Sequence, residues 1–360
     1  MIHIDGSYLE GGGQIVRTAL ALSTLTGKPF RVDKIRHNRR KPGLKRQHIS
    51  CIEGLKQLAN AQAEGVRPGS VALEFFPGRI DGQSISINIG TAGSITLLLQ
   101  SLLLPCLFAP APVRIVVKGG TDTKWSIPID YFGQVILPYY NQFAACKISA
   151  IKRGYYPKGQ GTVDITIRPR FYLSDFKNIN ALAAHLKNSV SALSLISRPE
   201  VLEIRGKSAA SMHLKGAQVA ERQAQGAAEL LERDYSLSIG CEYQDTASAG
   251  SVITLWTISK ARGSIVAADA LGAKGVRAEK VGAAAAQKLL AALNSNAAVD
   301  HHLADNLVPL MALVGGTLVA DKITGHIRSN IYVCEKFLDV AFSIDQNKNQ
   351  VTANSGVGKF

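Results

Sequence analysis

The chain of 360 residues is poor in cysteine, with five, at Cys51, Cys106, Cys146, Cys241 and Cys334. They are scattered, odd in number and form no CxxC pair. Neither a disulfide framework nor a thiolate zinc site is indicated, and a reducing compartment fits. Acidic residues are also short: 27 Asp and Glu against 41 Lys and Arg leave a formal net charge of +14 and a pI near 9.6. Such a balance points to polyanionic partners, nucleic acid first, with an anionic membrane or simple solubility as the alternatives. Long uninterrupted apolar runs are missing. The longest, SITLLLQSLLLPCLFAPAPV at 94–113, is broken by Gln100 and three prolines, which reads as a buried helix and not a membrane span. The opening MIHIDGSYLEGGG lacks the basic start and apolar stretch of a signal peptide. The expectation is a cytoplasmic protein, or a nuclear one if the source has a nucleus, with no membrane partner; nothing in the sequence assigns an oligomeric state.

Two catalytic loops are absent as well. No G-x-x-x-x-G-K-[ST] string occurs, so ATP use would not follow the P-loop route. Nor is there the Lys-x-Asp-Gly sequence by which lysine-using nucleic acid ligases form their adenylate; the nearest string, RIDG at 79–82, has no lysine. A covalent nucleotide would need another nucleophile.

What is present is enough apolar residue, 46%, for a large core, and an internal repeat. GGQIVRTALALSTLTG reads as a helix and KPFRVDKIR as a strand after it; AGSITLLLQSLLLPCLFA with APVRIVVKG, and ADNLVPLMALVGG with TLVADKITG, repeat that order. A second helix follows each strand: LKRQHISCIEGLKQLANA, IPIDYFGQVILPYYNQFA and GHIRSNIYVCEKFL. Strand pairs then follow, SVALEFFPG with SISINIG, CKISAIKRG with GTVDITIRP, and LDVAFSI with NQVTANS. Three packed α/β units are therefore expected, each with two helices on a four-stranded sheet, their corresponding loops gathered at one end. Residues 181–275 carry their own helix and strand pattern and read as a small inserted α/β domain, leaving 1–180 and 276–360 as the repeat-built body.

Several segments carry chemistry. LEGGGQIVR at 9–17 sets Glu10, three glycines and Arg17 at a helix start, where backbone amides and Arg17 suit phosphate and Glu10 a divalent cation; many glycine-rich turns bind nothing. IRHNRRKPGLKRQH at 35–48 concentrates Arg36, Arg39, Arg40, Lys41, Lys45 and Arg46 around a Pro-Gly turn, favouring an RNA or DNA contact over a solvated basic loop. KGGTDTKWSIPIDYF at 118–132 combines Asp122, Trp125 and Asp130, with packing the expected role of Trp125. KRGYYPKGQG at 152–161 suits base stacking and phosphate contact, or a hairpin with surface tyrosines. In DHHLADNLVPL at 300–310, His301 and His302 are expected on different helix faces, against a bis-histidine metal site. His326, isolated in TGHIRSNIYV, reads by itself as a surface residue capping a helix, with a nucleophile as the lesser reading.

Taken in order, DGSYLEGGGQIVR, IRHNRRKPGLKRQH, GTAGSITLLLQ, KGGTDTKWSIPIDY, RGYYPKGQG, HLADNLVPLMAL and GHIRSNI resemble the successive signatures of the RNA 3′-terminal phosphate cyclases over essentially the whole chain. The resemblance implies three α/β repeats with a smaller domain inserted before the last. It also implies ATP-dependent conversion of an RNA 3′-phosphate to a 2′,3′-cyclic phosphate, with release of AMP and pyrophosphate. By the same resemblance His326 is the nucleophile that takes AMP, and Glu10 holds Mg²⁺ or Mn²⁺. Gln100, His302, Asp305 and Asn306 contact the nucleotide, and Arg17, Arg39, Arg46 and Gln47 face phosphates and the end of the RNA. DNA ends are a further class of partner that an activated adenylate allows. The sequence departs from the family at three places: His302 stands where some members have tyrosine, Asn306 where glutamine is expected, and Ser329-Asn330 where others end Thr-Asn. The first two bear on the preference for ATP over GTP. The non-catalytic ribosome-biogenesis branch of the same fold lacks the histidine that His326 matches, and the enolpyruvyl transferases form no nucleotide adduct.

Overall fold

A computed structural model describes residues 1–260 and 263–355. The first unit runs β1 (Ile2–Asp5), α1 (Gly13–Thr26), β2 (Phe30–Asp33), α2 (Arg46–Ala59), β3 (Gln62–Glu64) and β4 (Leu73–Phe76). Its sheet has the order β1-β2-β4-β3, with β1 and β2 parallel and the other pairs antiparallel. Half of the residues of α1 are apolar and eleven of its fourteen are buried, so the helix goes into the core. Gly27, in the left-handed conformation at φ 70°, ends it by donating its N–H to Ser23 O.

The second unit repeats the plan with β5 (Ser84–Asn88), α3 (Ile95–Cys106), β6 (Val113–Gly119), a helix built of α4 (Ile129–Tyr131), a π turn (Phe132–Ile136) and α5 (Leu137–Tyr140), then β7 (Ala144–Lys152) and β8 (Gly161–Pro169). The order β5-β6-β8-β7 and the strand senses match the first sheet. The expected pairing of SVALEFFPG with SISINIG is thereby corrected. Leu73–Phe76 pairs with Gln62–Glu64, and Ser84–Asn88 opens the second sheet beside β6. An alternating strand carries no mark of which sheet will take it.

After α6 (Ile179–Ser189) and β9 (Leu193–Leu195) the chain leaves for the insertion: β10 (Val201–Ser211), α7 (Val219–Leu231), β11 (Leu237–Gln244), β12 (Ser251–Ser259), β13 (Ala267–Leu271) and α8 (Ala278–Asn294). It returns for α9 (His301–Val314), β14 (Gly316–Val319), α10 (Gly325–Phe337), β15 (Val340–Asp345) and β16 (Gln350–Ser355). The third sheet, β15-β16-β14-β9, reproduces the same order, with β9 parallel to β14. The expected boundaries, 181–275, therefore do not coincide with the sheets. Leu193–Leu195 lies inside that range yet pairs with β14, while α8 lies outside it yet packs on α7 and shares the insertion's own core with Ile204, Ile253 and Leu255. β12 is buried along most of its length because α7 and α8 lie against it and α4 of the second unit also meets it.

One apolar core joins the three units, with α1 packed on both α3 and α10, and α10 on α9. The insertion docks on the second unit through Arg153. This fully buried side chain reaches Asp122 at 3.1 Å, Asp130 at 2.5 Å and Glu242 of β11 at 2.9 Å. Arg153 is thus a structural ion and not the phosphate contact its segment suggested. Among the described residues no helix is long and apolar enough to cross a membrane.

Candidate active site

Four helices of the three units bring their polar side chains together. Gln14 and Arg17 come from the start of α1, Gln100 from α3, His302, Asp305 and Asn306 from the start of α9, and His326 is the second residue of α10. Two caps fix the later helices. Thr324 Oγ1 accepts the Ile327 N–H at 3.2 Å, and Asp300 Oδ1 accepts those of His302 and Leu303 at 3.0 and 3.2 Å. Asp300 also accepts the Tyr131 hydroxyl at 2.6 Å and the Ala267 N–H at 3.0 Å, so the second unit and the insertion both decide where α9 begins. Burial pushes the Asp300 carboxyl up and the Tyr131 donor pulls it back.

The amide of Gln14 stands between Asp305 and His326. Its Nε2 donates to Asp305 Oδ1 and its Oε1 faces His326 Nδ1. A carboxylate offers no proton, so the NH₂ turns to Asp305 and the oxygen to the imidazole, which then carries its proton on Nδ1. The lone pair is left on Nε2, 3.7 Å from Glu10 Oε2. Asn330 supports the arrangement, donating to Asp305 Oδ1 at 2.7 Å while the Thr18 hydroxyl donates to Asn330 Oδ1 at 2.6 Å. Burial raises the Asp305 carboxyl, and His326, Gln14 and Arg17 pull it back toward the ionised form.

Beside this group lies a cavity of about 500 Å³, lined by Gln14, Arg17, Gln100, His302, Asp305, Asn306 and His326 and also by residues 124–127 and by Asp269, Leu271 and Lys288. Arg17 is buried with its Nε unpaired in the protein, and burial lowers its hold on its proton. A guanidinium remains cationic nonetheless, which suits Arg17 to an anion. Gln100 Nε2 donates to Asn306 Oδ1 at 2.8 Å, and Asn306 Nδ2 donates to His302 O at 2.7 Å.

His302 opens onto this cavity and onto a second of about 450 Å³. The surrounding protein, then His301, push its imidazole down to about 3, leaving the ring neutral. The expectation that His301 and His302 face apart is corrected: at the first two positions of α9 their rings lie 4.1 Å apart, with His301 Nδ1 3.0 Å from Asp321. Trp125, expected to pack, is instead 94% exposed on the cavity rim.

The remaining expected residues, Glu10, Arg39, Arg46 and Gln47, are not among those that line the cavity. Glu10 pairs with Arg39 at 3.0 Å, both side chains about half exposed. Gly325 leaves room for the Glu10 carboxylate, whose Oε1 would lie 2.7 Å from a Cβ placed there. Gln47 lies near Gly93 with its Nε2 buried and unpaired. Arg46 is exposed at the first position of α2. Gly13 is required by close approach, since a Cβ there would stand 2.1 Å from the buried His48 Nε2. Reading the sequence missed Gln14, the role of Asn330, and the contributions of Asp300 and Lys288. Gln14 alone had a usable signal, its place directly after the glycines that open α1.

The family model described as RNA 3′-terminal phosphate cyclase matches residues 8–344. A protein of that name from Archaeoglobus fulgidus is 43% identical over 352 residues, covering 97% of this chain and 99% of its own. One from Methanosarcina acetivorans is 42% identical, covering 97% and 98%, and one from Pyrococcus abyssi is 40% identical, covering 96% and 95%.

Proposed function

The chain belongs to the RNA 3′-terminal phosphate cyclase family, and from that premise we propose that it converts an RNA 3′-phosphate to a 2′,3′-cyclic phosphodiester by way of a His326-AMP adduct. The observation that carries the reading is the Gln14 amide, which holds His326 with its proton on Nδ1 and its lone pair on Nε2, beside the buried cation of Arg17.

In this reading Nε2 of His326 attacks the α-phosphorus of ATP, an N–P bond forms, the bond to the bridging oxygen breaks and pyrophosphate leaves. Arg17 and the positive ends of α1 and α10 face the phosphates and offset charge developing on them. Gln100, His302, Asp305 and Asn306 supply the polar wall for the nucleotide. An oxygen of the RNA 3′-phosphate then attacks the adenylate phosphorus, the N–P bond breaks, and His326 is regenerated as the RNA carries a 3′-pp-A end. Attack of the neighbouring 2′-hydroxyl on the RNA phosphorus expels AMP and closes the ring, the hydroxyl proton going to solvent or a basic group at the mouth. Arg39, Arg46 and Gln47 are the groups assigned to the RNA end.

Glu10 fits the demand for a divalent cation. It is open to solvent near His326 Nε2, whereas Asp305 is already occupied by Gln14 and Asn330. One carboxylate with triphosphate oxygens and water is the habit of Mg²⁺, and Mn²⁺ accepts the same ligands. Such an ion would supply charge neutralisation on the triphosphate.

The test is incubation of the protein and of His326→Ala with ATP labelled at the α-phosphate and Mg²⁺ or Mn²⁺. An acid-labile, alkali-stable labelled band in the wild type alone, discharged by RNA bearing a 3′-phosphate, is expected. No label in either folded protein would turn the reading to an RNA-binding scaffold without catalysis.

A further inference from the structure

Trp125 has the most exposed large hydrophobic side chain among the described residues, 94% open, and Tyr156 follows at 77%. A bare indole in water forgoes a large apolar burial, so its position asks for an explanation. The backbone at Trp125 has φ 66°, a conformation that bulky residues adopt rarely and that the surrounding turn must impose. That turn is built: Ser126 Oγ donates to Thr123 O at 3.0 Å and lies 3.1 Å from Thr123 Oγ1. The ring is held on the rim of the cavity that also contains His326.

The loop that carries Tyr156 is bound to the loop that carries Trp125. Thr121 N–H donates to Gly154 O at 2.9 Å, and Gly154 N–H donates to Thr121 Oγ1 at 3.0 Å. The backbone N–H of Lys158 donates to Ser248 Oγ at 3.1 Å, fixing the far end of that loop on the insertion. Each exposed ring has an exposed lysine in sequence, Lys124 beside Trp125 and Lys158 two residues after Tyr156. Bare aromatic faces alternating with cations are what unpaired nucleotides require, the rings for bases and the ammonium groups for phosphates.

We propose that Trp125 and Lys124 form a stacking platform for the last nucleobases of the RNA 3′ end, and that Tyr156 and Lys158 carry the strand onward across the insertion. The proposal rests on the cyclase reading and adds to it the path of the strand. The nucleotide wall already named lies on α3 and α9, whereas Trp125 belongs to a separate loop and stands open to solvent, which suits it to the incoming strand.

Trp125→Ala and Trp125→Phe separate the RNA base from the adenine of ATP. With labelled ATP, Mg²⁺ and no RNA, Trp125→Ala is expected to lose far less of His326 labelling than it loses of cyclisation. With RNA 3′-phosphates it should need about tenfold more RNA for half-maximal cyclisation, the scale of losing one stacked base, and Phe should restore most of it. Tyr156→Ala should weaken an octanucleotide 3′-phosphate but not a dinucleotide. Tryptophan fluorescence gives a readout independent of catalysis. RNA should quench the wild type and not Trp125→Phe, whose remaining Trp256 is buried. If Trp125→Ala loses adenylylation as severely as cyclisation, the ring stacks on adenine and the proposal is overturned. Unchanged RNA dependence with unchanged quenching overturns it too. Failure of the wild type to take label would sink the cyclase reading instead, while quenching confined to Trp125 would still support the platform.

Discussion

Gln14 Oε1 accepts the Nδ1 proton of His326, and the same amide donates from its nitrogen to Asp305. This three-residue relay fixes which imidazole nitrogen is free. Gln14→Ala removes the acceptor, frees the ring to rotate and to exchange tautomers, and leaves Asp305 short of a donor. Histidine adenylylation in single turnover should fall by about 10²-fold, on the scale of losing a group that orients a catalytic imidazole. Half-saturating ATP should move far less. An equal effect on ATP affinity would make Gln14 a nucleotide contact and not a positioning residue.

His48 gives a pH test of stability. Its Nδ1 accepts the Lys45 N–H at 2.9 Å, and the buried ring is pushed down to about 3 by burial and then by Arg17, Arg36 and Lys45. The folded value lies below the unfolded 6.5, so the unfolded chain binds the extra proton. The stability carried by neutral His48 is therefore complete above 6.5 and is lost as pH falls toward 3. Between pH 7 and pH 5 the loss is about 2 kcal/mol. His48→Asn keeps an acceptor for Lys45 but cannot titrate. Unfolding free energies from urea titrations at the two pH values should fall further for the wild type than for the variant, by about that amount. His302, also near 3, titrates in both proteins and cancels in the comparison.

The parts of the fold that could be read from sequence were those whose signal is local. α3 is apolar nearly all round behind the Ser94 cap, and a buried helix is the one element that pattern permits. β9 has three residues and finds its partner in β14 across the whole insertion, so no window of sequence marks it. The alanine-rich α8 is plainly a helix, but only its contact with α7 says which core it serves. The site divides the same way. Glu10, Arg17 and His326 belong to segments with chemical signatures of their own. A glutamine after three glycines acquires a role only by meeting Asp305 and His326, 291 and 312 residues away. Arg153 looked like a phosphate contact because Asp122, Asp130 and Glu242, which neutralise it, are distant in sequence.

Arg153 should accordingly be worth more to stability than any surface arginine. Arg153→Met leaves Asp122 buried without a cation and Asp130 with only Lys207 at 3.9 Å, a loss of about 3–5 kcal/mol for a broken buried pair. Thermal unfolding should show a clear drop, or an early transition if the insertion separates first. Adding Asp122→Asn and Asp130→Asn to Arg153→Met should recover part of the loss by removing the stranded charges. A triple variant no better than Arg153→Met alone would mean that the ion cluster contributes packing and not charge compensation.

Glu10 and Arg39 should move the metal dependence of adenylylation in opposite directions. Glu10 Oε2 lies 3.0 Å from Arg39 and 3.7 Å from His326 Nε2, so its carboxylate is shared between a cation that is present and the place where a divalent ion would serve the nucleotide. Glu10→Gln keeps the shape and removes the charge. Half-saturating Mg²⁺ should rise by roughly tenfold or more, since ligand charge sets the affinity of such sites, and excess Mg²⁺ or Mn²⁺ should restore part of the rate. Arg39→Ala releases the carboxylate from its competitor. An exposed pair is worth at most about 1 kcal/mol, so without RNA the Mg²⁺ requirement should fall by no more than about fivefold. The two variants measured in one titration decide the point. If both lower the rate without moving the metal midpoint, Glu10 acts on His326 directly through its charge beside Nε2, and the ion sits elsewhere.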